Sequence, residues 1–428
     1  TFTLTNSATP DTIIGTDKSD VINGPSGTVA NADIIIDQST TDNDTANLVL
    51  TANYTPTNIT KIENVNIDWD AYTTPTYNLA GVKGAKTVTL TSSKTGFLGN
   101  ATVTNATDMT LVAGNGMVGD LTASGFKTGT VEATNSKKVV VNGTTTNADN
   151  ASIVVNAGTS TTDVTVGTTN GFKSTTVNAG TAGTVSVQDA GNTTDTTNVT
   201  VNKSAVNLTV NNAGATTLTT GADNVVTMAT SASVIGTELT VKGDGNATLV
   251  FAANDLNGEK ITNAKTSGDL IIKSADTNGE DISKVQATLV EFTAAQASGA
   301  TTVATGANLK YSAAAGAINV TIAGTSTTDT ATAELTASQT SVTATGVETL
   351  NLKANATATS GTDLTISTLA TNGNKVVLTG TNDVALTAVT GANGTVDATA
   401  LSGDLSLGTA ASVTIKGATG KNTVTTTG

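Results

Sequence analysis

Asp11, Asp17, Asp20, Asp33, Asp37, Asp42, Asp44, Asp68 and Asp70 put nine aspartates into the first 70 residues, whereas the next 70 hold only Asp108 and Asp120. Carboxylates this dense repel one another unless a cation sits among them, so this segment is where a metal is expected. Within it, Gly15-Thr16-Asp17-Lys18-Ser19-Asp20-Val21-Ile22-Asn23-Gly24 has the layout of one calcium-binding nonapeptide coil. In such a coil a glycine-rich turn aims Asp carboxylates and carbonyls at the ion, and the next apolar residue turns inward. Asp11-Thr12-Ile13-Ile14-Gly15 reads as a half-coil before it, with Ile14 and Ile22 as the inward residues. Asp33-Ile34-Ile35-Ile36-Asp37, followed by Asp42-Asn43-Asp44, brackets a strand with carboxylates at both ends. A hard cation such as Ca2+ takes about six to eight oxygens. The expected ligand set is therefore Asp11, Asp17, Asp20, Asn23, Asp33, Asp37, Asp42 and Asp44, against the plainer alternative that these residues only solvate turns.

A second oxygen-rich stretch, Asp276-Thr277-Asn278-Gly279-Glu280-Asp281, resembles the first half of an EF-hand loop. It names Asp276, Asn278 and Glu280 as further metal candidates, although the distal Glu and flanking helices are missing and an ordinary Asn-Gly turn accounts for the same residues. The remaining chemistry is thin. Without His or Cys the common nucleophile, base and zinc arrangements cannot be assembled. Paired carboxylates on a polysaccharide-cleaving β-helix remain, but such sites lean on Arg or aromatic platforms. Every positive side chain here is a lysine, and the single Trp, Trp69, is expected to pack at a strand end rather than stack on a sugar. We therefore expect no enzyme. A net charge of −14 with no basic stripe also disfavours nucleic acid as a partner.

The elements that must carry these residues are short strands. Val139-Val140-Val141-Asn142, Ile153-Val154-Val155-Asn156, Val164-Thr165-Val166, Val185-Ser186-Val187, Val199-Thr200-Val201 and Leu208-Thr209-Val210 are β-branched or aliphatic runs, each closed by turn formers. Helix competes poorly, since Thr, Asn, Val and Gly rank low in helix propensity. Only Val285 to Ala300, richer in Gln, Ala, Leu and Glu, is expected to be helical. With 3% aromatics a wide core would be underfilled, whereas a narrow one built by small side chains stacking coil on coil would not. The fold expected is all-β: an elongated β-solenoid, a right-handed β-helix-like stack of short strands in two or more β domains. The divisions expected are 1–70 (acidic), 71–288 (strand ladder) and 289–428 (second ladder). No run approaches the about 20 apolar residues of a membrane helix, so membrane insertion is not expected. The Cys-free, acidic, Thr/Asn/Gly-rich composition fits an extracellular bacterial protein that does not rely on disulfides.

Internal repetition supports the two-ladder division. Lys61-Ile62-Glu63-Asn64-Val65-Asn66-Ile67 returns as Gly346-Val347-Glu348-Thr349-Leu350-Asn351-Leu352, and more loosely as Leu289-Val290-Glu291-Phe292-Thr293; Ala157 to Asp163 recurs residue for residue at Ala323 to Asp329. On Gly15 to Gly24, on the strand around Glu63 and on the Thr/Ala/Asn/Val ladder, the chain resembles the calcium-dependent surface-layer proteins of Gram-negative bacteria, relatives of the repeats-in-toxin proteins. That resemblance implies a subunit of a two-dimensional coat on the outer cell surface, its fold and self-contacts held by calcium. It further implies type I secretion and attachment to lipopolysaccharide through a domain outside this chain. The tandem Gly-Gly-x-Gly-x-Asp repeats of the toxins are missing, so a regular calcium β-roll is not expected. The alternative reading is the stalk or passenger of a large secreted adhesin.

Overall fold

The computed structural model describes all residues except 147–149, 169–170, 212, 222, 229–234, 254–255, 357–362 and 426–428. It is 52% strand and 1% helix, and forms a parallel β-solenoid of about 18 turns. The chain divides into two compact units, one of Thr1–Asn224 with Ser233–Thr237, the other of Val225–Ala232 with Glu238–Gly428.

In the first unit the strands Phe2–Thr3, Val21–Gly24, Thr45–Leu50, Asn64–Trp69, Thr87–Thr91, Asp108–Ala113 and Thr128–Ala133 pair in parallel, each with the next coil, and the ladder continues to Ala215–Thr220. A smaller sheet, Thr12–Ile14, Ile34–Ile36, Asn58–Thr60 and Val82–Lys83, closes the first coils. From Thr76–Asn78 onward a third parallel ladder takes over that task. Alternation decides the inward face. Ile22, Ala46, Val65, Val88, Leu111, Val131, Val155, Val177, Val199 and Leu218 stand in register, one above another, all buried. Coils about 4.8 Å apart put these small branched side chains in direct contact, which is why so few aromatics suffice.

The second unit repeats the principle: Leu249, Ile272, Val290, Leu309, Ala333, Leu352 and Leu378 form one inward stack. Strands from Thr301–Val303 to Asn422–Val424 form its other long sheet.

Three local expectations are corrected. Val285 to Ala300 contains no helix; Leu289–Phe292 is a strand paired with Leu270–Ser274 and Ala307–Tyr311, because Val290 fits the inward stack and stacking outweighs helix propensity. Ile14 is 55% exposed and Ile13 is the buried residue of its strand, whereas Ile22 is inward as expected. The nonapeptide coil is also replaced: corner contacts between neighbouring coils join residues 19 to 24 positions apart, so a turn takes about two strands and two corners. Trp69 is fully buried, edge-on to Tyr77, with its indole N–H donating to the Thr73 carbonyl at 2.8 Å.

Candidate metal centre

One corner of the first coils gathers the acidic residues. Asp20 immediately precedes Val21–Gly24, Asp44 precedes Thr45–Leu50 and Glu63 precedes Asn64–Trp69, so each stands at the entry of a strand in the same ladder. They are linked through the backbone: Asp20 N–H donates to Asp44 Oδ1 at 2.7 Å, and Asp44 N–H to Glu63 Oε2 at 3.0 Å. Accepting an amide from the preceding coil satisfies a donor that a parallel ladder leaves over at its corner.

Asp37 enters from the opposite side. It follows Ile34–Ile36, next to Gly15, which follows Thr12–Ile14 one coil earlier. A Cβ on Gly15 would overlap Asp37 Oδ1 and crowd Asp20 Oδ2, so glycine is needed there for space. As a result, carboxylate oxygens of Asp20, Asp37 and Asp44 lie within 4.8 Å of one another. All three residues are buried, at 8%, 1% and 0% exposure.

Hydrogen bonding leaves this group incomplete. Asp20 accepts from the Thr16 amide at 2.7 Å and the Thr16 hydroxyl at 2.9 Å, and Asp37 Oδ2 accepts from Ser39 N–H. Asp37 Oδ1, Asp44 Oδ2 and both carboxylate oxygens of Asp42 are buried and have no partner. Burial raises the Asp44 carboxyl above its ordinary range; the Asp20 amide opposes this, and the charges of Asp37, Asp42 and Glu63 add to it. Asp20 is held low by the Thr16 amide, against the opposing effect of burial. The nearest cations reach only the edge of the centre. The Thr1 amino group lies 3.9 Å from Asp20 Oδ1 and Lys86 Nζ 3.9 Å from Glu63 Oε1, Lys61 Nζ donates to the Gln38 carbonyl at 2.9 Å, and among the described residues no cation pairs with Asp37, Asp42 or Asp44.

Unpaired buried anions cost several kcal/mol unless protonated or matched by a cation. Oxygen-only donors, several of them charged, suit a hard divalent ion such as Ca2+, with carbonyls and water completing the shell. Asp20, Asp37 and Asp44 would hold it, with Asp42 as a further donor.

The other expected ligands go elsewhere. Asp33 clamps the corner by accepting Asp11 N–H at 2.9 Å and Ala30 N–H at 2.7 Å, while Asp11 takes the amide and hydroxyl of Thr5. Asp17 is exposed and outside the group. Asn23 lies on the outer face, in an amide ladder with Asn47 and Asn66. Glu63 was not among the expected ligands. The signal for it was an acid placed just before a strand, as at Asp20 and Asp44.

In the second unit, Asp276 and Glu280 are buried at 2% and 1% exposure. Ser274 Oγ donates to Glu280 Oε2 at 3.3 Å and Asp276 Oδ1 accepts Asn278 N–H at 2.9 Å, whereas Glu280 Oε1 has no partner. Burial, with Asp276 alongside, pushes the Glu280 carboxyl up to about 8. The exposed Asn278 uses its side-chain oxygen to accept from the Ser298 hydroxyl. Two carboxyls and a turn are assembled here, and among the described residues no third carboxylate joins them as at the first site.

No protein-family model, curated protein or solved structure matches this chain.

Proposed function

We propose that this chain is a structural subunit of a bacterial surface layer, closed by calcium at Asp20, Asp37 and Asp44 and working through contacts with further copies of itself on the cell exterior. The observation that carries the reading is the set of buried, unpartnered oxygens on Asp37, Asp42 and Asp44 at a corner shared by successive coils. Calcium there would join coils that otherwise repel, so binding free energy becomes folding free energy. Extracellular calcium sites load at about 10⁻⁴ to 10⁻³ M, and an affinity in that range would leave the corner open in the cytosol and closed outside the cell. A narrow solenoid with stacked small side chains supplies rigidity without a catalytic constellation, as a coat subunit requires.

Thermal melting and light scattering of the full chain, in chelator and in millimolar calcium, test this. Calcium is expected to raise the melting temperature and to produce ordered sheets visible by electron microscopy. No change in either measurement would sink the proposal. A calcium-stabilised chain that stays monomeric would instead assign it to the stalk of a large adhesin.

A further inference from the structure

The outer face of one sheet in the second unit carries a column of charges that alternate in sign coil by coil. Lys273 is in register with Glu291, Glu291 with Lys310, Lys310 with Glu334, and Glu334 with Lys353. Within the chain these side chains already meet: Glu291 lies 3.2 Å from Lys273 and 3.1 Å from Lys310, and Glu334 lies 3.0 Å from Lys353. Lys375, Asp397 and Lys416 form a separate group further along, Asp397 lying 3.3 Å from each lysine. Alternation ends at Lys353, because the residue in register with it on the next coil is the uncharged Thr379.

A column of alternating sign matches an inverted copy of itself when the two are offset by one coil. From this geometry we propose that the Lys273–Glu291–Lys310–Glu334–Lys353 column is a docking surface for a second copy of this chain. A twofold axis between Lys310 and Glu334 sets Lys310 against Glu334 of the second copy, and turns Lys353 toward the second copy's Glu291, itself only 7% exposed. The symmetry repeats both pairs, giving an isologous contact. In a chain of net charge −14, most faces of two copies repel, so a face carrying matched lysines favours one mode of approach. The proposal rests on the self-association reading above and names its contact.

Analytical ultracentrifugation of the full chain at fixed calcium, below the concentration at which scattering appears, tests the contact. Wild type is expected to dimerise, with the dimer weakening as salt rises. Lys310→Glu places like charges across the axis and is expected to weaken the dimer at least about tenfold. The double change Lys310→Glu with Glu334→Lys restores opposite signs across the axis, yet leaves Glu291 and Lys353 beside like charges within the chain. A docking role therefore predicts that the double variant recovers dimerisation, whereas a purely internal role predicts that it does no better than the single one. A wild-type dimer indifferent to Lys310→Glu, or a double variant that fails to recover while melting as wild type does, overturns the column as the contact but leaves the coat reading standing. Wild type that neither dimerises nor forms sheets overturns both.

Discussion

The corner at Asp44 and Glu63 and the corner at Asp329 and Glu348 are built alike and behave differently. In the first, Asp44 N–H donates to Glu63 Oε2 at 3.0 Å; in the second, Asp329 N–H donates to Glu348 Oε2 at 3.0 Å. The similar strands around Glu63 and Glu348 therefore reflect a shared clamp. The difference lies in the company each pair keeps. Asp20, Asp37 and Asp42 crowd the first corner, whereas among the described residues no third acidic group closes on the second. Elsewhere in the second unit Glu291, Glu334 and Asp397 are met by lysines. Burial would raise Glu334, but Asn355, Lys353 and Lys310 hold it below its ordinary value. The charge column neutralises its acids from within; the first corner leaves Asp37, Asp42 and Asp44 without a cationic side chain beside them.

The largest expected effect breaks that contrast at its centre. Asp44→Asn keeps an oxygen for Asp20 N–H but removes a charge. It should abolish the calcium-dependent stabilisation, which at a hundredfold excess over Kd amounts to about 2.7 kcal/mol. In chelator the same variant should be at least as stable as wild type, because a repulsion has gone; denaturant unfolding in both conditions checks the opposite signs. Glu348→Gln, at the quieter corner, should show no calcium-dependent difference.

Gly15→Ala comes next. Its methyl group has to displace the Asp37 carboxylate, so a loss of about 1 to 3 kcal/mol is expected, together with a higher calcium midpoint in a melting titration.

Raising the pH from about 4.5 to about 8 acts on the second unit. Glu280 binds its proton more tightly folded than unfolded, its carboxyl being raised from 4.5 to about 8. Its contribution to stability is therefore full below about pH 4.5, declines as pH rises through that interval, and is gone above about 8. Glu280→Gln should flatten this decline in second-unit stability, read by hydrogen exchange of Leu270–Ser274 across pH 5 to about 9; an unchanged slope would exclude Glu280 as its source.

The smallest effect is expected at the charge column. Lys353→Ala should cost no more than about 1 kcal/mol of folding stability, since Lys353 is half exposed and water screens its pair with Glu334. A larger loss in denaturant titration would mean that the column stabilises the fold and does more than neutralise it.

Much of the scaffold was legible in the residues. Runs such as Val139-Val140-Val141 and Leu208-Thr209-Val210 became strands because alternation and β-branching are local properties. The repeated Ala157 to Asp163 and Ala323 to Asp329 segments both bridge the end of one strand and the start of the next, as turn formers should. Val285 to Ala300 was misread because propensity is local, whereas Val290 is placed by the aliphatic residues of neighbouring coils. The candidate site was legible only in part. Asp20, Asp37, Asp42 and Asp44 could be named from their density, yet equally dense Asp11, Asp17 and Asp33 lie outside the group, and Glu63 belongs to the corner without sharing their motif.

Composition and alternation by themselves determined that this chain would be β-structure with a narrow core, because a strand's side-chain period and the bulk of Val, Ile and Thr need no distant partner. Which carboxylates converge was decided by coil length and by the room Gly15 leaves for Asp37. A spacing of 24 residues brings Asp20 onto Asp44, and one of 19 brings Asp44 onto Glu63. Those distances along the chain become contacts only once parallel pairing has set the register.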